Sequence, residues 1–314
     1  MTRYLAERVA WLLVSLVTLT MITFGLGVLA PGDPAEVVLE HRLREAPPRE
    51  QVEAQRRLMG LDRPLPVQYL RWLSSAARGD LGDSWLRGLR VSDALRERIP
   101  RTAALAGAAA ALSVLLGVPL GVIAAVRRNS LADHACRFAA LIGASVPSYF
   151  IAYVLILLFA VRFRAFPVFG FGSAANLVLP AVTLALGPAA VLARLTRSTV
   201  LEALGEDYIR TARAKGASQL TVLGAHALRN SLLPLLTVVG LSLGHLLGGS
   251  LIVEWVFAWP GMGELAISAI QARDYPLIQG FVLFAGAVYV VVNFSVDLGY
   301  AWLDPRVRVG GRRR

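Results

Sequence analysis

The chain has one cysteine, Cys136, and one lysine, Lys215, in 314 residues. A single cysteine excludes an intrachain disulfide and any cysteine-built metal cluster. The single lysine excludes more. The phosphate-binding loop of nucleotide-driven machines ends in Gly-Lys-Ser/Thr, whereas Lys215 follows Ala214 and precedes Gly216. The chain therefore has no such loop with which to bind and hydrolyse ATP. HExxH is also missing, and no hydrolase constellation and no catalytic residue is assigned. His245 stands without a second ligand nearby, and His134 lies two residues before Cys136 without a third, so no metal site is assigned.

What is present is apolar surface. Hydrophobic residues make up 56% of the chain, mean hydropathy is +0.58, and charge is gathered into blocks, as in polytopic membrane proteins. Six segments, 9–30, 102–126, 138–161, 177–200, 231–257 and 278–300, contain apolar runs close to the roughly 20 residues a helix needs to cross a bilayer. The fourth is the weakest, with a short run broken by Pro180 and Pro188, and it reaches Val200 only if its arginines snorkel. The first is longer than a secretory signal core and is expected to be retained as a span. The fold class expected is all-α, one polytopic membrane domain of six helices. Short connections make neighbouring spans antiparallel pairs. Segment 31–101 is expected to form an outer cap of two or three short amphipathic helices, around Val52–Met59 and Val67–Ala77.

The net charge of +11 falls beside span ends, which argues for a membrane surface and against nucleic acid. Arg3 and Arg8, then Arg127, Arg128 and Arg137, then Arg194 to Arg229, then the tail 301–314 with Arg306 to Arg314, form four basic blocks. The positive-inside rule puts all four, and both termini, on the cytoplasmic side, with the tail anchored at the inner leaflet. Gly240, Gly244 and Gly248 in span five, and Gly117 with Gly121 in span two, recur at the spacing that lets helix backbones approach closely. Glu254 and Asp297 are acids at membrane depth, where hydrocarbon penalises an unpaired charge. For Glu254, capping of the 259–263 turn competes with a place, alongside His245 and Trp259, in an outer gate or pathway. Asp297 is expected to pair with a nearby basic residue.

Between spans four and five lies the charged, helix-capable segment 201–230. Helix formers fill both halves, and Gly216 stands between them where a left-handed turn would end one helix and start another. Such an elbow on the face of a membrane protein predicts a docking surface. Arg210-Thr-Ala212-x3-Gly216-x9-His226-Ala-Leu228-Arg229 resembles the EAA loop of ABC-importer permeases, Glu-Ala-Ala-x3-Gly-x9-Ile-x-Leu-Pro, with matching spacing. Arg210 and Thr211 replace Glu-Ala, His226 replaces Ile and Arg229 replaces Pro. The stretch from Gly205 to Asn230 is similar to the dipeptide, oligopeptide and nickel branch of that family. Pro31-Gly-Asp-Pro34, Gly79-Asp-Leu-Gly82, Glu254-Trp-Val-Phe-Ala-Trp-Pro-Gly-Met-Gly263, Arg273-Asp-Tyr-Pro276 and Leu303-Asp-Pro-Arg306 resemble the same branch in order, so the resemblance covers essentially the whole chain.

The resemblance implies a type I importer permease in a bacterial-type cytoplasmic membrane. It implies a homologous second permease, two ATPase subunits carrying ATP and Mg, and an extracytoplasmic substrate-binding protein, with no cofactor on this subunit. It also makes the elbow a coupling helix seated in a cleft of the ATPase, with Asp207, Tyr208, Arg210, Thr211, Ala212, Arg213, Ala214, Lys215 and Gly216 as its coupling residues. Peptide uptake is the implied task. Uptake of nickel or a metal chelate is the alternative, favoured by the short loop 162–176. A secondary transporter would need inverted repeats or a central ion-coupling site, and an intramembrane enzyme a paired constellation at one depth; neither is found.

Overall fold

The computed structural model describes residues 2–29 and 32–303. Pro31, the tail from residue 304 onward, and the side chains of Arg3, Asn230 and Asp297 lie outside the described part, and with them the expected partner of Asp297 and the inner-leaflet anchor. The described chain is helical without a named strand. Four helices are each long and apolar enough to cross a membrane: α1 (Thr2–Leu29), α5 (Val91–Val126), α8 (Ala174–Gly205) and α14 (Tyr275–Leu303). The bent pair α6 (Leu131–Ser145) and α7 (Ser148–Leu155), the latter running on as a π-helical stretch Ile156–Arg162, is long and apolar enough only when its two arms are taken together, and a shorter apolar stretch, Pro234–Gly248, lies in α11 (Arg229–Gly249).

Three of the expected spans take unexpected forms. The third is bent by 105° between α6 and α7. Its cause is Pro147: the residue before a proline is pushed out of the helical region, and Val146 is extended at φ −81°, ψ 128°. The fourth, the weakest in sequence, is a continuous 32-residue helix in spite of Pro180 and Pro188. Its neighbours explain this. α5 and α6 pack along α8, and Leu179, Pro180, Ala181, Leu184, Ala185, Ala189 and Ala190 are all buried, so tertiary contacts hold the helix where a lost backbone bond would weaken it. The fifth ends at Gly249, and a separate short helix α12 (Leu251–Val256) follows.

The small residues set the helix spacing. A Cβ at Gly117 would stand 2.6 Å from the carbonyl oxygen of Ala189, and one at Gly121 would stand 2.6 Å from that of Ala193. α5 and α8 therefore touch backbone to backbone. Gly240, Gly244 and Gly248 face Val296, Val292 and Ala285 on α14, which makes that stripe an internal seam of this chain.

The cap of the bundle contains α2 (Pro34–Leu43), α3 (Arg49–Leu58) and α4 (Leu65–Ala76). Asp33 starts α2 by accepting from the Ala35 amide at 3.0 Å, with Pro34 at the first helical position. The same carboxylate pairs with Arg56 of α3 at 3.1 Å. A turn built on Gly79 and Gly82, both at positive φ, leads into α5, which begins well ahead of the expected span. The segment after α12 is not a plain turn, because it folds into α13 (Met262–Ala272).

Candidate functional site

The two ends of the bundle carry different chemistry. At one end, residues 201–230 form the elbow. α8 ends at Gly205, Glu206 turns the chain, and α9 (Asp207–Ala214) follows. Only Ile209 of α9 is buried; Asp207, Tyr208, Arg210, Thr211, Arg213, Ala214 and Lys215 are exposed, and Ala212 is intermediate. The helix stops in a Schellman arrangement. The Gly216 amide donates to Arg213 O at 2.9 Å and the Ala217 amide to Ala212 O at 3.1 Å, with Gly216 at φ +81°. A side chain is strained there because of the Cβ, while a glycine is not.

Ser218 then opens the return arm by accepting from the Thr221 amide at 3.2 Å. The three-residue α10 (Gln219–Thr221) passes into a π-helical turn, Val222–Leu228, which carries His226 and Leu228 of the EAA-like pattern. Val222 and Ala227 are buried. Ala125, Val200, Ala203 and Ala227 form a small core, joined by Val122, Leu201, Leu204, Leu223 and Leu228. The elbow is thus seated on the ends of α5 and α8, with its charged face outward. Arg210 reaches Asp207 at 3.3 Å, but both side chains are more than three-quarters exposed, so water competes for that pair. Leu220 at the tip is 83% exposed.

Beneath the elbow lies an ion pair that the sequence pattern does not reveal. Arg197 of α8 donates through Nε to Asp133 Oδ1 at 2.7 Å and through Nη2 to Oδ2 at 2.8 Å. The Asn129 amide also donates to Oδ2, at 3.0 Å. Asp133 is fully buried. A bidentate guanidinium fork fixes direction as well as distance, so the turn between α5 and α6 is locked to the helix that carries the elbow. The only hint in the sequence is one acid in an otherwise basic turn, between Arg127, Arg128 and Arg137.

At the opposite end Glu254 is fully buried and surrounded by donors. Thr102 Oγ1 and Ser250 Oγ donate to Oε1 at 2.8 and 2.7 Å, and the Gly263 and Glu264 amides donate to Oε2 at 2.7 and 3.3 Å. Those amides belong to the first turn of α13, which has no side-chain cap at Gly261. Glu254 supplies that cap from a distance and neutralises the positive end of the helix dipole. Thr102 Oγ1 also accepts from the Met262 amide at 2.8 Å. A Cβ at Gly263 would stand 2.5 Å from Leu251 Cα, so the turn fits only glycine.

Trp259 is buried beside this knot. Its Nε1 donates to Arg101 O at 3.1 Å, and its ring meets Phe171 edge-on at 5.0 Å, over which the Arg101 guanidinium also lies at 5.0 Å. Arg98 pairs with Glu264, and Ser84 donates to the buried Asp274. Glu254 and Trp259 come together; His245 does not join them and stands exposed on α11. Among the described residues, no group of three His, Cys, Asp or Glu is placed to hold a metal ion. A cavity of about 680 Å³ lies elsewhere on this side, between α1, α4 and the start of α14.

A bundle of long apolar helices, bearing an elbow on one end and a closed polar knot on the other, is the architecture of a multi-pass membrane protein. Residues 117–309 match the family described as the binding-protein-dependent transport system inner membrane component. Residues 1–106 match the N-terminal part of the same membrane components. The chain belongs to this family, as an ABC-importer permease.

It is 42% identical, over 98% of its length and 100% of the relative, to a protein of Brucella ovis named as a peptide permease. It is 39% identical, over 98% of both chains, to an Escherichia coli K12 protein named as a D,D-dipeptide transport system permease. In fold it is similar to the MetNI methionine ABC transporter in an inward-facing conformation, at a TM-score of 0.56 and 21% identity, covering 67% of this chain and 96% of that one.

Proposed function

We propose that this chain is one of two homologous permeases lining the pathway of a peptide importer. In this reading α9 docks into a separate cytoplasmic ATPase. The termini and elbow then lie in the cytoplasm, and the cap with the Glu254 knot faces the extracytoplasmic binding protein. The observation that carries the reading is the elbow itself. Ile209 and the core beneath it fix the arm, while the exposed Arg210, Arg213 and Lys215 offer charge to acidic partners across a wet interface. ATP binding and hydrolysis fall to the partner subunits, whose movement the rigid elbow passes to α8 as a push. The names of the relatives favour peptides as cargo, and this subunit needs no cofactor for the task.

The test is ATPase activity of the permease purified with its native partners in lipid, with binding protein loaded with mixed short peptides or with nickel chelates. Stimulation by peptide-loaded binding protein is expected. Stimulation by the nickel chelate alone would reassign the cargo, and a permease that co-purifies with no ATPase would overturn the reading.

A further inference from the structure

Two neighbouring cap helices differ in a way that water alone does not explain. α3 reads Arg-Glu-Gln-Val-Glu-Ala-Gln-Arg-Arg-Leu and has no buried residue, as suits a solvated helix. α4 reads Leu-Pro-Val-Gln-Tyr-Leu-Arg-Trp-Leu-Ser-Ser-Ala and also has no buried residue. Val67 and Leu70, which share one face, are 40% and 62% exposed, whereas Leu65 lines the cavity against α1.

The depth of α4 says what covers them. Tyr69 hydroxyl and Thr20 Oγ1 are hydrogen-bonded at 2.9 Å, and Phe24 of α1 packs on both Tyr69 and Trp72, with ring centroids 5.5 and 6.0 Å away. Thr20 lies well inside the apolar span Arg8–Leu29. At about 1.5 Å of rise per residue, Thr20 is about 13 Å below Leu29 along the helix. The uncharged run extends from Val9 to Gly32, a little longer than the roughly 30 Å hydrocarbon core. Even if all the excess protrudes on the cap side, Tyr69 remains several ångströms within the apolar layer. The exposed side chains of α4 then continue the lipid-facing surface of α1, where Val17, Met21, Ile22 and Leu26 are about half exposed. Tyr69 and Trp72 are the residue types that concentrate at membrane interfaces.

We propose that α4 is an interfacial helix, seated in the cap-side leaflet of the bilayer with Val67 and Leu70 in contact with lipid. The cap is then held by the membrane as well as by α1. The proposal requires α1 to be a span and is independent of the cargo and the ATPase.

The experiment places an environment-sensitive fluorophore at single cysteines of the full chain in proteoliposomes, in a Cys136→Ser background. The sites are Leu70→Cys on α4, Glu53→Cys on α3 and Leu13→Cys on α1. Spin-labelled phospholipid should quench the labels at 70 and 13 several-fold more than the label at 53, and aqueous iodide should show the reverse order. Quenching at 13 by lipid and at 70 by iodide would overturn the interfacial helix while leaving the span intact. Quenching at both by iodide would overturn the span as well. Iodide access at 70 that is lost only on adding the binding protein would assign the patch to that protein and overturn the lipid contact.

Discussion

The two ends of this bundle solve opposite problems with similar residues. At the Glu254 end, a carboxylate, two hydroxyls and three backbone amides satisfy one another inside the chain, and the residues that bear them are buried or nearly so. At the elbow end, Asp207, Arg210, Arg213 and Lys215 face outward, and the ion pair between Asp207 and Arg210 is surface-exposed. Burial raises the cost of an unmet polar group, so a closed knot must be complete. A solvated arm need not be, and is free to be completed by another protein. The first end is finished by the chain, and the second, on the function proposed above, is left for a partner, on a base locked by Asp133 and Arg197.

The contrast predicts that cuts at the knot damage folding, whereas cuts on the arm damage communication. The largest effect is expected for Glu254→Ala, which strands the Gly263 and Glu264 amides. Each buried unmet donor costs about 1–3 kcal/mol, and thermal unfolding of the purified chain should show a clear fall in midpoint. Glu254→Gln should be milder, since its amide can face Ser250 and Thr102, whose hydroxyls can turn to accept. Equal melting of Glu254→Ala and wild type would break the comparison at its closed end. It would also return Glu254 to the role of a pathway residue.

Asp133→Ala comes next. Removing one member of a buried pair costs roughly 3–5 kcal/mol, and Arg197, with about a fifth of its side chain exposed, recovers some of this from water. The elbow should lose its fixed seat, seen as faster amide exchange through 197–209, and Arg197→Lys, with Asp133 in place, should retain only part of the pair, because an ammonium lacks the fork.

Gly216→Val is smaller in stability and larger in function. A Cβ at Gly216 has open space within 4 Å, so the penalty is conformational, on the order of 1–2 kcal/mol for a left-handed side chain. The protein should reach the membrane in normal amount but lose coupled uptake relative to ATP hydrolysis. Normal coupling would deny the turn its role.

Arg210→Ala, the smallest, should leave melting unchanged, as expected for an exposed pair. Its effect should be confined to association with the ATPase and should shrink as salt rises.

Much of this architecture was legible in the sequence, because membrane spans need long apolar runs and glycine stripes need no partner to be noticed. The elbow was legible too, since Gly216 lies between two helix-forming halves. Proline acts in both directions here. Pro147 breaks a helix at the edge of the bundle, while Pro180 and Pro188 sit within one that its neighbours enclose, so packing and not residue type decides the outcome. The Asp133–Arg197 pair was hidden because a 64-residue separation leaves no periodic trace. The knot at Glu254 was half visible: the acid stood out, but two of its four partners are backbone amides of a glycine-rich turn, and those carry no residue code.

The most direct test of the contrast is amide hydrogen exchange on the permease in lipid, alone and assembled with its ATPase. Residues 207–221 should exchange readily in the isolated chain and gain protection on assembly, while 254–264 should be protected in both. Equal exchange through 207–221 with and without the ATPase would contradict the claim that the elbow is the end completed by a partner.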